Sequence, residues 1–178
     1  NRKCMETIWK LCLPLEDIDD VMALSEHYWA TEKLTVITKD REFFRQCITV
    51  ATTNQLFDRN KEFIAVCRNE QGQLLGYCWY DRGGYTTYSK QEISNAKFHH
   101  VDLLLPVRQR IRILDEMLDQ HLLWAQHCGI PVVCSTSIRK ENSVFMRLHE
   151  RRGFEVNGSY AWIRTEDGIK QMKEHNGN

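Results

Sequence analysis

Two histidines and an aspartate crowd into four residues, His99-His100-Val101-Asp102, just ahead of Leu103-Leu104-Leu105-Pro106. The apolar run predicts a strand over 98–105, and the two-residue strand period puts His100 and Asp102 on one face. A carboxylate beside three leucines needs a partner, and His100 is the nearest. The pair could act as a general base, or be a structural hydrogen-bonded pair. It could also contribute to a metal site, but ligands this close along a strand cannot all face one ion, so no metal is expected. A few residues on, Arg108, Arg110 and Arg112 surround a predicted helix start. Guanidinium groups bind phosphate through paired hydrogen bonds, and a helix N-terminus favours an anion. Asp115 and Glu116 follow at once and oppose an anion, so a surface helix with solvated charges of both signs is the competing reading.

The elements that must position these residues follow from period and punctuation. Residues 7–13 alternate as a short strand ended by Pro14, and 16–30 carry Ile18, Val21, Met22, Ser25, Tyr28 and Trp29 at helical spacing. Asp40 is the expected N-cap of a second helix with Phe43, Phe44, Cys47, Ile48 and Ala51 on its apolar stripe. Strands are expected at 62–68 and 74–82 around a turn containing Gly72, followed by a polar loop over 83–97 with Gly83, Gly84, Tyr85 and Tyr88. A long helix over about 110–128 should end at Gly129, ahead of Pro131. An apolar strand over 132–137, a helix from Glu141 or Asn142 to Gly153, and a closing strand pair at 154–156 and 159–164 about Asn157-Gly158 complete the order. The tail from Thr165 is polar and expected to fray. Helices alternate with strands only in the second half, which disfavours a doubly wound parallel sheet. The expectation is one α/β (α+β) domain over residues 1–178, a mixed sheet with helices on both faces.

Composition excludes several function classes. Lys+Arg and Asp+Glu are 24 each, so the net charge is zero and nothing pulls the whole chain toward nucleic acid or an anionic membrane. No apolar run reaches the ~18 residues of a membrane span. The five tryptophans and six tyrosines are not interleaved with a basic stripe. Residues 1–15 lack a signal-peptide pattern, and the seven cysteines form no CxxC pair, so buried free thiols in a cytoplasmic protein are expected. Neither a dinucleotide fingerprint nor a P-loop, HExxH or GxSxG string is present.

The chain resembles the GNAT superfamily of N-acyltransferases from about Ile8 to Arg164. The resemblance lies in Pro14-Leu15-Glu16-Asp17, in Gly72 with Leu74-Leu75-Gly76, and in Leu104-Leu105-Pro106. Met117-Leu118, Ala125 and Cys128-Gly129 continue it, and Asn142, Leu148 and Gly153-Phe154 close it. It implies a mostly antiparallel central sheet flanked by about four helices, with strands 4 and 5 splayed. It also implies acetyl transfer from acetyl-CoA to an amine, borne by a small molecule or a protein. Leu104 and Leu105 would then offer strand backbone to the pantetheine arm, Gln109, Arg110 and Arg112 would face the phosphates, and Asn142 would contact the pantetheine or simply cap its helix. The family's phosphate loop, Gln/Arg-x-x-Gly-x-Gly/Ala, falls on Gln109–Leu114, where Arg112 and Leu114 stand in place of both glycines. His149 stands where the family usually has a tyrosine acid; imidazole could protonate a thiolate, or be a packed core histidine. His100 or Asp102 would be the base. These departures leave a second reading open, a GNAT-like scaffold that binds another protein. No nucleic-acid or membrane partner is expected, and the chain should be a monomer or homodimer.

Overall fold

The computed structural model describes residues 5–31, 35–137 and 143–176. Their contacts form two compact units, the described residues of 1–31 and 40–136, and those of 32–39 and 137–178.

The first unit holds a five-stranded sheet in the order β1 (Ile8–Leu11), β2 (Phe63–Arg68), β3 (Leu74–Tyr80), β4 (Ile93–Val101), β5 (Val132–Cys134). The first four strands pair antiparallel, and β5 joins β4 in parallel. Strands β2 and β3 read as unbroken apolar runs because helices cover both faces. Ile64, Val66, Tyr77 and Trp79 point to one side, where α1 (Ile18–Thr31) supplies Val21 and Met22 and α2 (Arg41–Phe57) supplies Phe44 and Ile48. Ala65, Cys67, Cys78 and Tyr80 point to the other, against Ile113, Met117, Trp124 and Ala125 of α3 (Val107–Cys128). The strand period divides one sequence between two cores.

Local chemistry sets the helix ends. The Asp40 carboxylate caps α2 by accepting the Phe43 N–H at 3.0 Å. α3 ends where Gly129 takes a left-handed backbone, φ 69°. Its start lies three residues earlier than the pattern suggests, at Val107, directly after Pro106 with its φ of −54°. Glu116 then ties β1 to α3: Thr7 Oγ1 and Trp9 Nε1 donate to its carboxylate at 2.9 and 3.0 Å.

Three expectations are corrected. β4 begins at Ile93 and stops at Val101, so Asp102–Leu105 are a turn and Leu104 and Leu105 offer no strand backbone. Residues 154–164 form no strand pair, although glycines 153 and 158 keep turn-type backbones. The polar tail is instead helix α5 (Thr165–Asn176), with Glu166 and Asp167 suiting its first turn. Like α4 (Ser143–Arg151), it belongs to the second unit, where the Arg164 guanidinium donates to the Thr35 and Val36 carbonyls at 3.0 and 3.2 Å. Among the described residues no helix is long and apolar enough to cross a membrane.

Gly76 of β3 lies close against both β4 and α3. A Cβ there would lie 2.7 Å from the His100 carbonyl oxygen and 2.9 Å from Met117 Cε. Gly76→Ala is expected to cost roughly 1–3 kcal/mol, the usual range for overpacking, read as a lower urea midpoint at unchanged slope. An unchanged midpoint would contradict this close approach.

Candidate functional site

β5 pairs with β4 only at Ile93, Ser94 and Asn95. β4 continues six residues further, from Ala96 to Val101, with no strand on that side among the described residues. A bulge at Lys97, where Trp79 faces Phe98 but Tyr80 faces Ala96, re-aims the strand at the point of divergence. Among the described residues, then, this stretch of β4 pairs with a strand on one side only, and five residues separate Val101 from the start of α3. An open backbone edge leading to a helix N-terminus suits an extended ligand with an anionic end.

The helix start carries a specific set of donors. No side chain caps it, and the Gln109 and Arg110 N–H groups both donate to the Pro106 carbonyl at 2.9 and 3.1 Å. The end amides of Val107 and Arg108 therefore come first in line for an anion. Arg110 adds a buried Nε with no hydrogen-bond partner. A buried guanidinium nitrogen without an acceptor is what a site for a phosphate oxygen presents.

The positions of the absent glycines are also explained. Residues 109–114 all lie within α3, so the amides of 111–114 belong to the helix ladder and offer no loop cradle. Arg112 is committed elsewhere: Nε donates to Glu116 at 3.2 Å, one terminal nitrogen to the Met5 carbonyl at 2.9 Å and the other to Thr7 Oγ1 at 3.4 Å. These bonds tie α3 to the approach to β1. Leu114 packs against the α3-side core, and Glu116 holds Thr7, Trp9 and Arg112.

The His100–Asp102 pair does not form as the strand period suggested, because β4 ends between them. Asp102 accepts the Leu104 N–H at 3.0 Å in a turn, and its own N–H donates to the Leu75 carbonyl. His100 instead turns to the α1 face. Its Nδ1 is 2.7 Å from the Tyr77 hydroxyl, which is 2.8 Å from Ser25 Oγ. The Tyr28 ring stacks on the imidazole at 4.0 Å between centroids and 7° between planes. Tyr77 is fully buried, and burial pushes its phenol well above the ordinary tyrosine range, so it stays neutral and hydrogen-bonded to His100. Ser25 and Tyr28 appear in sequence only as part of an amphipathic stripe, and Tyr77 only as a core strand residue. Nothing in their spacing announces the hydrogen-bonded set.

On the other face, the Tyr80 hydroxyl donates to the Met117 carbonyl at 2.5 Å and lies 3.0 Å from His99 Nε2. With its only proton given to a carbonyl, that hydroxyl accepts from His99. Ser94 Oγ likewise donates to the Asp81 carbonyl at 2.6 Å and so accepts from His121 Nε2 at 2.7 Å. Burial pushes His121 down to about 4, so it is neutral, with the proton on Nε2. Its ring stacks on Tyr80 at 3.9 Å. This network fixes β4 against α3.

In the second unit, His149 is buried among Phe145 and Phe154. Burial lowers its pKa, opposed by the hydrogen bond that Nδ1 donates to the Phe145 carbonyl at 2.7 Å. Asn142 lies outside the described residues. The loop that could have met an acceptor is closed by an Arg82–Glu92 ion pair and a Gly84–Ile93 bridge. It stands at the start of β4, seven residues or roughly 20 Å along the strand from His100.

No protein-family model matches this chain, and no curated protein matches it by sequence. Solved structures do match. The aminoglycoside N-acetyltransferase AAC(6')-Iy in complex with CoA superposes with a TM-score of 0.68 at 11% identity, over 93% of this chain and 98% of that one. A predicted acetyltransferase from Clostridium acetobutylicum, solved with acetyl-CoA, gives 0.68 at 12% identity, over 91% and 98%. Glucosamine-6-phosphate N-acetyltransferase from Arabidopsis thaliana gives 0.60 at 14% identity, over 90% and 99%. The fold is that of the GNAT acetyltransferases, a mixed sheet, mostly antiparallel, with its parallel pair at strands 4 and 5.

Proposed function

We propose that the chain is an N-acetyltransferase that takes acetyl-CoA as co-substrate and an amine as acceptor. One observation carries this reading: the open edge of β4 leads to an uncapped helix start beside the unpartnered Arg110 Nε. The pantetheine arm would lie along Ala96–Val101, the place that the resemblance gave to Leu104 and Leu105. The Val107 and Arg108 amides and the Arg110 guanidinium would hold the pyrophosphate, with Gln109 in the same turn. Arg112 keeps its structural bonds and takes no part. His100 accepts the amine's proton, and the hydrogen bond from Nδ1 to the Tyr77 hydroxyl holds its ring in place. Asp102 shapes the turn between β4 and α3. His149, with its Nδ1 proton held by Phe145, is a packing residue. The solved relatives whose names give an acceptor act on an aminoglycoside and on glucosamine-6-phosphate, both amine-bearing small molecules, and a small amine is the acceptor class we assign here.

The test is release of CoA thiol from acetyl-CoA by the purified chain, with a panel of an aminoglycoside, glucosamine-6-phosphate, an aromatic ethylamine and a polyamine. Release above the protein-free rate with any of them is expected. A flat response across the panel, with acetyl-CoA failing to bind, would favour the protein-binding scaffold.

A further inference from the structure

We infer that the acceptor is an amine carried on an apolar ring, and that Phe98 and Trp29 select it. This deepens the acetyltransferase reading above and rests on it.

Phe98 and His100 are two apart on β4, so both side chains stand on the α1 side of the sheet. Their ring centroids are 5.1 Å apart, with the planes at 82°. Both residues are half-buried. Phe98 also stacks on Trp79 at 5.6 Å and meets Phe44 of α2 edge-on at 5.4 Å. Trp29, near the end of α1, meets the same Phe44 edge-on at 5.2 Å and is half-buried too. Phe44 and Trp79 themselves are buried, at 9% and 3% exposure. Two half-buried rings therefore flank a buried third, and one of them lies against the imidazole proposed as the base.

The charges bordering these rings are already neutralised. Glu26, one turn before Trp29 on α1, lies 2.7 Å from an Arg41 nitrogen. Glu62 accepts from Trp79 Nε1 and lies 3.1 Å from Lys97 Nζ, which sits over the Trp79 ring at 4.9 Å. Ser25 and Tyr77 are buried and bonded to one another, and Tyr77 to His100. An acceptor bearing several ammonium groups needs carboxylates to meet them, and one rich in hydroxyls gives up water for apolar surface. An apolar ring instead gains by leaving water and by stacked or edge-to-face contact with Phe98 and Trp29. Its ammonium, before losing a proton, is drawn to the ring faces as well. Such an acceptor differs from the aminoglycoside and the glucosamine-6-phosphate named for the solved relatives.

Thiol release from acetyl-CoA with phenylethylamine and with ethanolamine tests this, because the two carry the amine on the same short linker. In the unmodified chain kcat/KM should be at least about tenfold higher for phenylethylamine, as burial of one apolar ring predicts. Phe98→Leu should narrow that ratio about fivefold by loss of one aromatic contact. A merely structural role would lower both amines alike and leave the ratio unmoved. If that variant fails to fold, Trp29→Leu should narrow the ratio in the same way. If neither amine is acetylated, calorimetry of phenylethylamine against the CoA-saturated chain reads the same site, and saturable binding is expected. Equal use of the two amines, a ratio unmoved in the variant that folds, or no binding in that titration overturns the assignment. Acetylation of ethanolamine or an aminoglycoside as readily as phenylethylamine overturns it too, while the acetyltransferase reading stands. Failure of acetyl-CoA to bind removes both.

Discussion

His100→Gln is expected to lower acetyl transfer by roughly 10²–10⁴-fold, the usual contribution of a general base, and to leave the affinity for CoA unchanged. Glutamine can keep a hydrogen bond to Tyr77 but cannot take a proton at neutral pH. The loss should therefore fall on kcat rather than on binding, read from thiol release beside a calorimetric titration. Tyr77→Phe should cost less, because it frees the ring without removing the base. If His100→Gln turned over normally, the base would lie elsewhere, and the β4 face toward α1 would be only a packing surface. A joint loss of turnover and CoA affinity would instead show that His100 holds the open edge of β4 in shape.

The largest loss of stability is expected at Asp17. Its side chain is almost wholly buried, with 1% exposure, yet it is charged. One oxygen accepts the Leu13 N–H at 2.8 Å; the other lies 2.8 Å from an Arg68 nitrogen and 3.3 Å from Lys10 Nζ. Arg68 also reaches Asp20 and the Gly72 carbonyl, so this carboxylate gathers β1, the start of α1 and the β2–β3 turn. Asp17→Ala leaves a half-buried guanidinium short of its closest anion and should cost about 3–5 kcal/mol, the range for breaking a buried pair. Burial alone would push the Asp17 carboxyl up, but the Leu13 amide, Arg68 and Lys10 outweigh it and hold it below the usual carboxylate range. A depressed folded value means that the ionised carboxylate stabilises the fold. That contribution is complete above the ordinary aspartate value of about 4 and fades as pH falls through the lower folded value. Chemical denaturation between pH 7 and 2 checks it. The wild-type advantage over Asp17→Ala should be constant down to about pH 4 and shrink below it. Curves that stay parallel to pH 2 would mean that the charge contributes nothing.

How much of this was legible in the sequence depended on whether a signal was local. Asp40 as a cap and Gly129 as a helix end are one-residue signals with one-residue causes, and both stand. Strands β2 and β3 were visible as apolar runs, though their division between two cores needs the helices in place. The start of β4 was hidden because Ser94, Asn95 and Lys97 look like loop and a bulge breaks the two-residue period. Reading the strand as 98–105 then produced a His100–Asp102 pair across what is really a turn. The helix start was misplaced for a related reason. The arginines resemble a loop, whereas Pro106 already fixes the first turn. The hydrogen bonds that matter most join residues far apart in the chain, Tyr28 to Val101 and Ser25 through Tyr77 to His100, and no pattern along one segment could reveal them. Arg112 shows the converse: it has the right residue type at the right spacing, but Met5, Thr7 and Glu116 hold it.

Whether an acyl-CoA is held where β4 opens toward α3 is tested most directly by calorimetric titration of the chain and of Arg110→Ala and Arg112→Ala with acetyl-CoA. Saturable binding is expected, weakened about tenfold in Arg110→Ala by loss of one charge-assisted phosphate contact. Arg112→Ala should bind as the unmodified chain does while unfolding more easily. No binding at millimolar acetyl-CoA, or weakening by Arg112→Ala and not by Arg110→Ala, would contradict the account.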